Sequence, residues 1–264
     1  MKKGLIVYNK VDQENNQWFI ERCLKELNDN NFSLYYKEES ETLSFVKENK
    51  IDFVIFRARN FSLVEQLEKL GIRVFNNSHT NRIANDKYQS YLFCKTNDLP
   101  CLETYQSSRY INEYYFVMKS VDGHGGKEVY LIENEDFAKK ILEDTHKKYI
   151  YQRFITDAKD VRLYVLNKQV IGAVKRENKH NFRSNYSLGG KASKYEPSQE
   201  MVDIAEKVAT LLDADYIGVD FIINDNTCVV NEIEDPVGSR MLYATSDIDI
   251  VSLFIEHIKN KLVD

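Results

Sequence analysis

Three carboxylates set among apolar residues constrain this chain more than any other feature. Residues 217–242 read IGVDFIINDNTCVVNEIEDPVGSRML, where two apolar runs, 217–223 and 228–233, are parted by Asn224, Asp225, Asn226 and Thr227. Apolar runs separated by such turn-formers predict an antiparallel hairpin. Side chains alternate faces along a strand, which puts Asp220 with Gly218 and Ile222, and Glu232 and Glu234 with Val230. A three-residue connection, Asp225 to Thr227, sets Asp220 directly opposite Glu232. Like charges brought that close repel unless a cation neutralises them or one stays protonated. An all-oxygen set of this kind suits Mg²⁺, which takes one or two carboxylates and shares substrate phosphates. A strand with a solvated acidic face accounts for the same residues, and the hairpin alone does not choose.

The rest of the chain narrows the choice. In residues 1–78, strand candidates at 5–8, 33–36, 53–56 and 73–75 alternate with helical patterns, which predicts a mainly parallel sheet with helices on its faces. No GxGxxG follows the first strand, so a dinucleotide site is not expected there. Arg57 and Arg59 close the third strand, where open α/β sheets place ligands; two solvated arginines are the plainer alternative. Residues 77–97 read as one long helical stretch carrying Asp86, Lys87 and Ser90, ended by Leu99-Pro100.

A strand at 114–119 then leads into SVDGHGGK, and residues 128–132 resume as strand. Backbone N–H groups of such a glycine-rich hairpin can approach a phosphate closely, although glycine is also the ordinary residue of a plain turn. Lys119 and Lys127 flank the loop, and no Walker A sequence is present. His124 is expected to face solvent. Further strands follow at 149–155, 161–166 and 169–174, then a polar segment, 177–193, whose length without periodicity marks a functional or mobile loop. Amphipathic helices are expected at 199–212 and 248–262.

A net charge of −5 over 264 residues gives no support to a general nucleic-acid or membrane-surface role. No apolar run approaches the roughly 18 residues of a membrane span, and residues 5–8 are too short an apolar run for a secretory signal. Four cysteines without CxxC spacing predict reduced, mostly buried thiols and a cytoplasmic protein.

In order and spacing, several short pieces resemble the ATP-grasp superfamily, and within it the RimK-type carboxylate–amine ligases. They are Asp86-Lys87 with Ser90, Val117-Met118-Lys119 with the loop at 123–126, Gln152-Arg153-Phe154-Ile155, Asp160-Val161-Arg162, Val170-Ile171-Gly172-Ala173, Phe182-Arg183-Ser184-Asn185 with Gly189-Gly190, Gly218-Val219-Asp220, and Asn231-Glu232-Ile233-Glu234. The resemblance implies an α/β fold, α+β in its C-terminal part, with an N-terminal α/β domain at 1–78, a central lid domain at 79–190 and a C-terminal metal-binding domain at 191–264.

It also implies the site. Lys87 and Lys119 would contact ATP phosphates under a lid formed by Gly123, Gly125 and Gly126. Gln152, Arg153, Phe154 and Ile155 would hold adenine through backbone bonds, and Asp160 would lie near the ribose. Asp220, Glu232 and Glu234 would bind Mg²⁺ or Mn²⁺. Arg176 would stabilise the phosphoryl group or acyl phosphate, with Asn185 close to metal and phosphates. The partners implied are ATP and an amino acid or peptide, with the oligomeric state open.

Three departures from the family pattern bear on the acceptor. Glu234 stands where asparagine is usual, Arg153 where an acidic residue is common, and the usual proline-glycine appears shifted, as Asp235-Pro236-Val237-Gly238. Arg240, with Tyr243 nearby, is expected to touch the carboxylate substrate. A ligase joining a carboxylate to an amine is the first reading. A peptide-modifying enzyme that closes side-chain esters or amides is the second, and an inactive ATP-binding module the third. The presence of Lys87, Lys119, Asp220, Glu232 and Arg176 argues against the third.

Overall fold

The computed structural model describes residues 1–28, 32–111, 115–126, 128–143, 146–178, 190–225 and 227–263. The N-terminal strands β1 (Lys2–Tyr8), β2 (Phe32–Glu38), β3 (Phe53–Phe56) and β4 (Arg73–Phe75) form a parallel sheet in the order β2-β1-β3-β4. Helices α1 (Lys10–Asn28), α2 (Thr42–Glu48) and α3 (Phe61–Lys69) make the crossovers. Both faces are covered, as parallel sheets require. Leu5 and Val7 pack beside Val46 of α2 and Leu63, Val64 and Leu67 of α3, whereas Ile6 and Tyr8 pack beside Phe19 and Cys23 of α1.

The helical stretch expected as one piece is two, α4 (Ser78–Ala84) and α5 (Lys87–Thr96). Asp86 leaves the helix between them and caps α5, its carboxylate accepting from the N–H groups of Tyr88 and Gln89, both at 2.9 Å. The Ser90 hydroxyl donates back to the Ile83 carbonyl at 2.7 Å. The break puts Lys87 at the first position of a new helix.

Two antiparallel sheets follow. One has the order β5-β8-β6-β7, from β5 (Thr104–Tyr105), β6 (Phe116–Ser120), β7 (Val129–Ile132) and β8 (Tyr149–Arg153), with α6 (Glu135–Glu143) against it. The other has the order β11-β10-β9-β12-β13, from β9 (Lys159–Leu166), β10 (Gln169–Glu177), β11 (Lys191–Lys194), β12 (Tyr216–Asn224) and β13 (Thr227–Glu234). The boundary expected after residue 190 falls between β10 and β11, which are hydrogen-bonded neighbours, so β9 and β10 share a sheet with β11, β12 and β13.

One face of this five-stranded sheet, through Val161, Leu163, Val165, Val219 and Phe221, packs on α4, α5 and α7 (Gln199–Leu212). Its other face, through Tyr164, Leu166, Val174 and Tyr216, shares a core with α1, β1, α8 (Arg240–Thr245) and α9 (Ile250–Val263). Toward one end of that second face the apolar side chains give way to Arg162, Arg176 and Asp220. Cys23 and Cys94 are buried and Cys101 and Cys228 half-buried, all as free thiols. No helix among the described residues is long and apolar enough to cross a membrane.

Candidate active site

The site begins with an irregularity in the carboxylate hairpin. Asp220 does pair with Glu232, but the pairing runs on to Asn224 opposite Thr227, one residue tighter than the three-residue connection expected. A bulge between Val230 and Glu232 takes up the difference, leaving Asn231 as the extra residue. It also corrects the expected faces. Val230 lies in the core with Phe221 and Ile233, while Glu232 and Glu234 turn to the opposite side with Asp220. Gly218 leaves room beside them: a Cβ there would stand 2.8 Å from Val237 and 3.4 Å from the Arg162 side chain.

One oxygen from each of Asp220, Glu232 and Glu234 lies within 4.8 Å of the others. The mutual repulsion expected of them is met by protein cations. Arg162 grips Asp220 in a fork, Nε to Oδ1 and Nη2 to Oδ2, both at 2.7 Å, and reaches Glu234 Oε1 at 2.6 Å. Arg176 donates to Asp220 Oδ2 at 2.7 Å and to Asp160. Lys87 pairs with Glu232 at 2.9 Å. The Lys119 ammonium donates to Asn231 Oδ1 at 2.9 Å, so the bulge residue has a partner in the facing sheet.

Four carboxylates (Asp160, Asp220, Glu232 and Glu234) thus interleave with four cations (Lys87, Lys119, Arg162 and Arg176). Burial would raise Asp220, but Arg162 and Arg176 overcome it and hold the carboxyl at about 2. Burial prevails at Asp160 and Glu234, which are pushed up. It also brings Lys119 down to about 8, with Lys87 adding to the effect and Glu232 opposing it.

The opposite wall is the β5-β8-β6-β7 sheet and its glycine loop. Lys87 ties the two walls together: its backbone N–H donates to the Val121 carbonyl at 3.0 Å, and its ammonium donates to the Gly123 carbonyl. Gly125 and Gly126 adopt φ of 67° and 72°, a region that side chains other than glycine enter at a cost. On β8, Gln152 is buried with a fixed orientation. The Thr104 hydroxyl donates to the Leu102 carbonyl, so its oxygen is left to accept from Gln152 Nε2 at 2.8 Å. Gln152 Oε1 then has no partner among the described residues.

Between the walls lies a cavity of about 830 Å³. Lys87, Lys119, Gly123, Gly125 and Gly126 line it, as do Gln152, Arg153, Phe154 and Ile155. So do Asp160, Arg176, Asp220, Glu232 and Glu234. Asn185 lies outside the described residues. Arg162 and Asn231 were visible as parts of family-like segments but carried no assigned role. The signal for Arg162 was a charge at an inward position of an otherwise apolar strand. Asn231 needed the bulge. The structure does not bring Arg240 to the site: it is exposed and lines neither the main cavity nor the small cleft adjoining it. Tyr243 donates to Asp249 at 2.7 Å and stacks edge-on with Trp18.

The fold is that of the ATP-grasp ligases. A D-alanine–D-alanine ligase from Bacillus anthracis superposes with a TM-score of 0.79, covering 100% of this chain and 97% of its own at 14% identity. Residues 97–258 match the RimK-like ATP-grasp domain, and the chain belongs to that family of ADP-forming ligases. Among its relatives are the "Uncharacterized protein MG011" of Mycoplasma genitalium, 29% identical over 98% of this chain and 93% of its own length, and a "Probable alpha-L-glutamate ligase" of Maridesulfovibrio salexigens, 27% identical over 90% and 84%.

Proposed function

We propose that this ligase transfers the γ-phosphoryl group of ATP to a carboxylate of an amino acid or peptide and joins the acyl group to an amine. The observation that carries the reading is the single cavity in which two lysines and a glycine loop face three carboxylates and Arg176. A carboxylate oxygen attacks the γ-phosphorus, and the bond to the bridging oxygen breaks with its electron pair leaving on ADP. The amine nitrogen then attacks the acyl carbon, phosphate departs, and the nitrogen sheds a proton. Catalysis of this kind is positioning and charge stabilisation more than covalent chemistry.

Lys87, Lys119 and the backbone at 123–126 hold the phosphates. Residues 152–155 hold adenine, whose amino group matches the unpartnered Gln152 Oε1, and Asp160 lies toward the ribose. Arg176 steadies the transferred group, and Asn185 is placed beside it on the family resemblance alone. The four interleaved carboxylates and four cations offset one another without nucleotide, so the triphosphate brings negative charge that these cations do not offset. The hard oxygens of Asp220, Glu232 and Glu234 fit a divalent cation, Mg²⁺ or Mn²⁺, which supplies neutralisation at the phosphates. Glu232 and Glu234, now paired with Lys87 and Arg162, would hold the cation together with Asp220, which also anchors Arg162 and Arg176. ADP release screened against amino acids and short peptides, with mass spectrometry of the products, tests the reading. Amide products accompanied by one ADP each are expected; nucleotide binding with no carboxylate-dependent ADP release refutes it.

A further inference from the structure

Asn231 is the residue that the bulge adds to β13, and its place is fixed from both sides. One residue earlier, the Val230 N–H donates to the Pro100 carbonyl and the Val230 carbonyl accepts from the Leu102 N–H, both at 2.9 Å. The segment 100–102 leads directly into β5, an edge of the facing sheet. One residue later, Glu232 turns toward Asp220 and pairs with Lys87. The side chain between them crosses the cleft, where Asn231 Oδ1 accepts from the Lys119 ammonium at 2.9 Å. Adjacent residues of β13 thus reach toward the facing sheet, Val230 through its backbone and Asn231 through its amide. Asn231 and Lys119 both line the main cavity.

The two lysines of the site are held in different ways. Lys87 is committed to the Gly123 carbonyl and the Glu232 carboxylate. The one side-chain hydrogen bond of Lys119 among the described residues goes to a neutral amide. An ammonium carries three N–H donors, so Asn231 takes one and leaves the others, with the full charge, for an anion in the cavity. A lysine charge rides on a flexible stem, and where it sits depends on what holds it. Asn231 supplies that hold without cancelling the charge, as an aspartate in its place would. An apolar residue there would leave the ammonium without an anchor.

We infer that Asn231 is a positioning residue that fixes the Lys119 ammonium at the cavity wall and so aligns its charge with the nucleotide phosphates. This rests on the nucleotide-binding half of the ligase reading. Its test is a double-mutant cycle on binding of the β,γ-imido analogue of ATP with Mg²⁺, measured by calorimetry in wild type, Asn231→Leu, Lys119→Ala and the double variant. Asn231→Leu keeps the bulk and removes the acceptor. It should weaken binding about fivefold where Lys119 is present and less than about twofold in Lys119→Ala, because a hold on an absent side chain contributes nothing. Asn231→Ala, read in the same cycle, covers the case of a leucine that the bulge does not accommodate, and thermal melting reports whether each variant is folded.

Equal losses in both backgrounds mean that Asn231 acts through the shape of the strand, and they overturn the inference, as does no loss in either. The expected coupling together with no carboxylate-dependent ADP release refutes the ligase reading and leaves the inference standing. A wild type that does not bind the analogue overturns both.

Discussion

Asp220→Asn keeps the shape of the side chain and removes the charge on which two guanidinium groups depend. Asp220 is 2% exposed, and Arg162 and Arg176 hold it through three contacts of 2.7 Å. Removing one partner of a buried ion pair costs about 3–5 kcal/mol, because the charge left behind is uncompensated. At about 2–4 °C per kcal/mol for a chain of this size, the nucleotide-free protein should melt roughly 10 °C lower. The pH dependence gives a second estimate. Asp220 is held at about 2 against an ordinary 3.8. A carboxyl depressed in the folded state stabilises above its unfolded value and loses that contribution as pH falls through the folded one, here between about pH 4 and pH 2. The difference amounts to about 2 kcal/mol.

Urea unfolding of wild type and Asp220→Asn from pH 6 down to pH 3, without nucleotide, measures both quantities. The variant should start less stable and lack part of the wild-type decline below about pH 4. Glu232→Gln is the control: it loses one partner, Lys87, whose ammonium keeps the Gly123 carbonyl, so less charge is left uncompensated and the cost should be smaller. If Asp220→Asn costs no more than Glu232→Gln, or raises stability as simple carboxylate repulsion requires, then Asp220 does not anchor the arginines and the argument fails.

The nucleotide offers three further tests. Burial brings Lys119 to about 8, so folding bears the cost of the buried ammonium below pH 8 and sheds it as pH rises toward 10.5. ATP favours the charged form, and calorimetry in buffers of different ionisation enthalpy should show proton uptake on binding above pH 8, which Lys119→Ala abolishes together with about tenfold in affinity. Gln152→Met removes the acceptor fixed by Thr104; it should weaken ATP by about 0.5–1.5 kcal/mol and leave GTP unchanged in competition binding. Glu232→Gln should lower turnover by about 10²-fold or more, with Glu234→Asn milder because an amide oxygen still ligates; Mg²⁺ titrations of turnover that rank them in the reverse order refute the assignment.

Local pattern made much of this legible. Alternating runs at 5–8, 33–36, 53–56 and 73–75 announced the parallel sheet, because strand and helix periods and the burial of both sheet faces are written in neighbouring residues. The carboxylates and lysines stood out because charge within an apolar strand or beside a glycine loop is a local anomaly. Family resemblance, carried by the order of short segments, supplied the nucleotide.

Other features depended on residues far apart in sequence. The bulge at Asn231 shows no local signature, since one extra residue in a strand appears only against its partner, yet it decides which way Val230 and Glu232 face. The neutralisation of Asp220 joins residues 44 and 58 positions away, brought together by the pairing of β9 with both β10 and β12. Arg57 and Arg59 are indistinguishable as sequence. The fold buries one among aromatic rings and leaves the other lining a small cleft beside the main cavity, because only tertiary packing determines which carbonyls, carboxylates and empty spaces a guanidinium meets.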